Sequence, residues 1–141
     1  MKIRRAGLLL ALLAALLLGL CACRVEGNPL PEGMDEEETL AKGREAVRAI
    51  AGNDWEGLWA LLREDVREST SPEDIGTLIL GQLDGAGVYK QIDSYLATGQ
   101  SSDGEDYGVC VFYCKYEKKK VLIRVAVDPE MEIIGFEVKK R

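Results

Sequence analysis

Cys110 and Cys114, set four residues apart in a run of Val, Phe and Tyr, are the side chains best suited here to redox, nucleophilic or metal chemistry. On a strand they share a face, but at about 3.3 Å per residue their Cα atoms stand roughly 13 Å apart, well beyond disulfide reach. A structural zinc would need two further ligands, and with histidine absent these would be carboxylates, a poor match for that metal. Alternating with Phe112 and Tyr116, the two cysteines read as small apolar core residues; an intermolecular disulfide or a reactive thiol is the alternative. The lack of histidine also removes the imidazole base and the ordinary physiological-pH switch, and with them most familiar hydrolase designs. Asp35-Glu36-Glu37-Glu38 has charge for a cation but not the spaced oxygens and pivotal glycine of a calcium loop, so it reads as a solvated helix start. Lys118-Lys119-Lys120 has the charge to touch anionic headgroups or cell-wall polymers, and reads more simply as a hairpin tip whose lysines discourage edge pairing. Trp55 and Trp59, at i and i+4 of one helix face, read as core, with a ligand platform or a membrane-facing aromatic edge as the alternative.

The chain that must position these groups has 141 residues, 47% of them hydrophobic, and is sized for one domain. Its formal net charge of −6, with no basic run between the first few residues and the last part of the chain, argues against counterion-release binding to DNA or RNA. The expectation on that ground is no nucleic-acid partner.

Lys2, Arg4 and Arg5 precede an unbroken apolar run from Ala6 to Leu20, followed by Cys21-Ala22-Cys23. This is the layout of a secretory leader, and the apolar run is shorter than the ~20 residues that span a bilayer comfortably. Leu20-Cys21-Ala22-Cys23 resembles the bacterial lipobox, in which an aliphatic residue, a tolerant position and a small residue precede the cysteine that is acylated. The resemblance implies a lipoprotein signal peptide over residues 1–22 and a thioether-linked diacylglycerol on Cys23. Cys21 fits worse, because it would put the bulky Leu20 where a small side chain is wanted. At about 0.8 kcal/mol per buried methylene, a pair of acyl chains holds a soluble domain on a membrane almost irreversibly. Residues 24–34, with Gly27, Pro29, Pro31 and Gly33 and no apolar period, read as the rest of a lipidated tether over 23–34. Fully extended, that segment reaches no more than roughly 40 Å.

From Asp35 onward the signals are helical. Asp35 with Glu38 resembles a capping box, and Leu40, Val47 and Ile50 form a stripe that stops at Gly52. Asn53 with Glu56 starts a second helix carrying Trp55, Leu58, Trp59, Leu62 and Val66. Ser71, Pro72, Glu73 and Asp74 open a third, which carries Ile75, Leu78, Ile79 and Leu83 and ends near Gly85 and Gly87. The period then changes: Val88–Ala97 is β-prone, 98–106 a loop rich in Gly, Ser and Asp, and Tyr107–Glu117 a strand. Lys118-Lys119-Lys120 reverses into Val121–Val127, and Asp128-Pro129-Glu130 turns into Met131–Lys139. Three helices followed by four hairpin-joined strands make an α+β domain over residues 35–141, with the N-terminal helices packed on a curved four-stranded antiparallel sheet. The second sheet face, with Val109, Val111 and Tyr113, is apolar too; a homodimer or a docking surface would cover it.

Gly52-Asn53-Asp54-Trp55, Ser71-Pro72-Glu73-Asp74-Ile75, Gly87-Val88-Tyr89-Lys90-Gln91-Ile92 and Val127-Asp128-Pro129-Glu130-Met131-Glu132-Ile133-Ile134-Gly135-Phe136 carry a further resemblance. Over about residues 35–139 the chain resembles a bacterial domain of unknown function in the cystatin-like, nuclear-transport-factor-like cone superfamily, frequent in lipoproteins of Gram-positive bacteria. The resemblance implies a pocket between sheet and helices, used for small-ligand binding, dimerisation or occasionally catalysis. It supplies no catalytic residue set. Ketosteroid-isomerase-like relatives of the fold use a raised-pKa acid and a tyrosine in the cone, for which Asp93, Tyr95, Tyr107 and Tyr113 qualify by residue type alone. The reading that follows is a non-enzymatic, membrane-anchored extracytoplasmic lipoprotein, without cofactor or metal, that binds a small ligand or envelope protein. An isomerase- or hydrolase-like catalyst and a structural self-association module are the alternatives.

Overall fold

Residues 27–141 are described by a computed structural model; the leader, Cys21 and the lipidation candidate Cys23 lie outside the described residues. Helix α1 (Glu36–Ala51) starts as its caps dictate: the Asp35 carboxylate accepts the Glu38 N–H at 3.0 Å, and three glutamates sit in the positive first turn. Helices α2 (Trp55–Leu61) and α3 (Glu64–Glu68) divide what the apolar spacing predicts as one helix. The N-cap of α2 is Asp54, whose carboxylate accepts the Gly57 N–H, while Asn53 takes a left-handed φ of 54°. Leu62 and Arg63 turn extended so that Arg63 N–H can donate to the Ile133 carbonyl at 2.8 Å; a contact with the sheet overrides helical continuity. Helix α4 (Pro72–Gln82) begins at Ser71, as its capping residues predict.

The sheet is open, with strands β1 (Tyr89–Ser102), β2 (Glu105–Tyr116), β3 (Lys120–Val127) and β4 (Ile133–Lys140) antiparallel in chain order. The segment predicted as a loop over 98–106 is instead paired backbone closed by Asp103-Gly104, both at positive φ (53° and 77°), the geometry of a two-residue primed turn. Gly104 serves that turn, whereas Gly99 serves close approach: a Cβ on it would lie 2.0 Å from the Pro29 carbonyl oxygen. Asn28 N–H donates to Thr98 Oγ1 at 2.8 Å, and Gly99 N–H donates back to the Asn28 carbonyl at 2.9 Å. Residues 27–34 therefore run along the sheet, with Leu30 and Met34 packed on the core.

Alternation on the strands selects the core. Cys110, Phe112, Cys114 and Tyr116 of β2 and Val121, Ile123, Val125 and Val127 of β3 face Leu40, Val47 and Ile50 of α1 and join them in one buried cluster. Gly43 lets α1 approach: a Cβ there would stand 2.8 Å from the Phe112 ring and 2.9 Å from Cys110 Sγ. Trp55 and Trp59 are half-buried beneath α4 and its approach loop. The Trp55 ring meets Gly76, and Trp59 Nε1–H donates to the carbonyls of Arg67 and Thr70 at 3.2 and 3.3 Å.

Candidate functional site

The space between helices and sheet is filled by side chains. Phe112, Ile123 and Val125 are fully buried, and clefts open at the periphery: 460 Å³ beside Arg48 and Asp54, 430 Å³ on the sheet face away from the helices, 300 Å³ between Asn28 and Gln100, and 260 Å³ at the margin where Leu78 of α4 meets Phe136 of β4. Cys110 and Cys114 sit in the core as free thiols, and Cys110 donates to the Thr39 carbonyl at 3.2 Å. Burial pushes the Cys110 thiol up to about 12 and the Cys114 thiol up to about 11, from an ordinary value of 9.0. Both should react slowly with a maleimide or disulfide reagent at neutral pH and rapidly after denaturation. Unfolded thiols release protons near pH 9 while the folded ones hold theirs, so this contribution to stability is complete below pH 9 and fades as the pH climbs toward 12. Urea unfolding of wild type and the Cys110→Ala/Cys114→Ala pair between pH 7 and 10.5 should show the wild type losing more with rising pH. Parallel loss in both proteins would contradict the burial of these groups.

The four residues that qualified for acid–base work do not converge. Tyr95 is half-exposed at the edge strand, with the Arg44 guanidinium 4.7 Å from its ring centre. Tyr107 pairs with Gln100 near the far end of the sheet. Asp93 accepts from Lys120 Nζ and Gln91 Nε2, both at 2.8 Å, and Lys120 followed by Gln91 holds its carboxyl below the usual range. Among the described residues the one strongly buried carboxylate, Asp128, is committed to structure: it accepts from Arg63 and from the Glu130 and Glu132 amides. Among the described residues no group of three or more cysteines and carboxylates is placed to hold a metal ion.

Asp93 and Tyr113 do meet, in the 430 Å³ cleft on the outer sheet face, with Ser94, Lys120, Val121 and Arg141 around them. Register builds this site. Lys115 lies directly opposite Lys120, and Arg141 N–H donates to the Lys120 carbonyl at 2.9 Å, continuing the row across three strands. One step along, Tyr113 faces Leu122 and Leu122 faces Lys139. Four cations thus share one sheet face with an aromatic ring; Lys120 and Arg141 line the cleft with Tyr113, and the Arg141 guanidinium lies 5.6 Å from the centre of its ring. Like charges directly opposite one another on a sheet are destabilising, and only Asp93 answers them with an ion pair among the described residues. The Lys118-Lys119-Lys120 run marks the tip of this hairpin but says nothing of Lys139 and Arg141; only the β3–β4 register brings those in. The apolar outer face predicted around Val109 and Val111 is largely covered within the chain, each residue being 8% exposed.

Helices followed by an open four-stranded antiparallel sheet, with a filled interior and a charged, aromatic-floored cleft outside it, define a small α+β domain whose accessible chemistry is at its surface. The chain belongs to the family described as protein of unknown function (DUF3887), whose model matches residues 44–136. It is also similar to a solved protein from Ruminococcus gnavus, determined by NMR, with 26% identity and a TM-score of 0.67 over 78% of this chain and 96% of that one. No curated protein matches. Among the described residues no helix is long and apolar enough to cross a membrane.

Proposed function

We propose that the chain is a membrane-anchored extracytoplasmic lipoprotein whose α+β domain binds a ligand or partner without catalysing a reaction. The observation that carries the anchoring is the Leu20-Cys21-Ala22-Cys23 sequence after a charged and apolar leader. The binding reading is supported by the outer-face cleft, where charged side chains and the Tyr113 ring meet at an accessible surface. Residues 27–34 lie against β1 and β2, so only three residues stand between Cys23 and that packed strip, a covalent reach of no more than roughly 15 Å. Such a link keeps the domain at the bilayer surface.

Labelling bacteria that express the chain with a clickable fatty acid tests the anchor. Wild type should carry the label and fractionate with membranes, and Cys23→Ala should lose both. Label retained by Cys23→Ala and lost from Cys21→Ala would move the anchor; an unlabelled wild type would end the lipoprotein reading.

A further inference from the structure

We propose that the basic end of the outer sheet face is a binding site for a flexible polymer that carries repeated phosphate groups. The fold collects there what the sequence scatters: the β2–β3 hairpin supplies Lys115, Lys118, Lys119 and Lys120, and the end of β4 supplies Lys139 and Arg141. All six are exposed, and of them only Lys120 forms an ion pair among the described residues. Lys115, Lys120 and Arg141 stand side by side across the strands, about 5 Å apart, and Lys139 lies about 7 Å along the strand from Arg141. A row of like charges costs stability when empty, and bound oxyanions would offset that cost. Lysine ammoniums act as mobile point charges suited to phosphate, and Arg141 adds a fork that can engage two oxygens at once. Continuation of the row onto Lys118 and Lys119 beyond the sheet favours an extended chain over a single anion, since linked groups engage neighbouring cations at high effective concentration.

The choice of a soluble polymer over the chain's own bilayer rests on the anchored reading above. Asn28 joins the sheet at Thr98, opposite Val109 and six positions along β2 from Lys115, so the N-terminal attachment and the cation row are separated by roughly 20 Å of strand. With an anchor at the Asn28 end of β1, the cation row would lie toward the opposite end of the sheet from the attachment.

The test uses the full chain in neutral phosphatidylcholine vesicles, titrated with fluorophore-labelled linear polyphosphate and, separately, with labelled vesicles containing phosphatidylglycerol. Four engaged cations predict saturable polyphosphate binding whose log K falls against log salt with a slope of about −3. In Lys115→Glu/Lys139→Glu the affinity should fall at least about tenfold and the slope shrink to about −1. Lys115→Glu should at the same time leave thermal stability close to wild type, because relief of the repulsion from Lys120 is offset by the lost attraction to Asp93. Loss of binding with stability retained is a pattern that a purely structural role for these lysines does not produce. Lys42→Glu, on α1, should bind as wild type. Absence of saturable polyphosphate binding, equal binding by the doubly substituted chain, or capture of phosphatidylglycerol vesicles without polyphosphate binding would each overturn the proposal. Polyphosphate binding and its loss in the doubly substituted chain do not require lipid at Cys23, so the anchored reading stands or falls separately in the fatty-acid experiment.

Discussion

Phe112→Ala is expected to cost the domain about 4 kcal/mol, the largest loss from a single truncation of its core. The ring is fully buried at the centre of β2, between Ile123 on β3 and α1. What makes the site expensive is the partner opposite. Gly43 already brings the α1 backbone to its nearest approach, its Cβ position being 2.8 Å from the ring, so no side chain on the helix can swing in to fill the space. Urea unfolding reads the effect as a midpoint lowered by about 2 M at a slope near 2 kcal/mol per M. A shift below about 0.5 M would mean that α1 settles onto the sheet and that the close approach at Gly43 does not hold the two layers apart.

The second large effect is expected at Asp128, where truncation to alanine should cost about 3 kcal/mol although the residue belongs to no helix or strand. Its side chain is 2% exposed. One carboxylate oxygen accepts the Glu130 and Glu132 amides at 3.0 and 2.9 Å, and the other faces Arg63 Nη1 at 3.2 Å. Those bonds hold a turn in which Met131, not a glycine, takes a φ of 65°. Arg63 also bonds Asp65 and Glu105, and its backbone N–H reaches Ile133, so the junction of α2 and α3 is tied to the start of β4 through this cluster. The arginine is partly solvated, so most of the loss should come from the two released amides rather than from the ion pair. Asp128→Asn keeps an oxygen for those amides and should lose about half as much. Hydrogen exchange at Glu130 and Glu132 gives the independent reading: faster in the alanine variant, nearly native in the asparagine one. Equal damage from both substitutions would place the energy in the contact with Arg63.

The helix starts at Asp35 and Ser71 were legible because capping is local chemistry: a carboxylate or hydroxyl three residues before an orphan amide bonds it whatever the rest of the chain does. The break at Leu62 and Arg63 was not, since it answers a bond to Ile133, about seventy residues away in sequence. The misread stretch 98–106 shows the same limit from the other side. Gly99 looks like a loop residue, yet it pairs with Gly108 of β2, and both are glycine because Pro29, Leu30, Met34 and Thr39 crowd against them. The cationic face belongs to this class as well. Lys115 opposite Lys120 can be read by folding the hairpin at its lysine tip, but Arg141 joins them only once β4 is laid beside β3.

The strip of chain from Gly27 to Met34, lying along the outermost strand, decides how the domain would meet a mechanical load. A pull on the amino end is delivered first to the Asn28 bonds with Thr98 and Gly99, then to the seats of Leu30 and Met34, and only afterwards to α1. Contacts loaded one after another peel at low force, like a zip, so this strip acts as a shock absorber: it pays out slack while the sheet behind it stays whole.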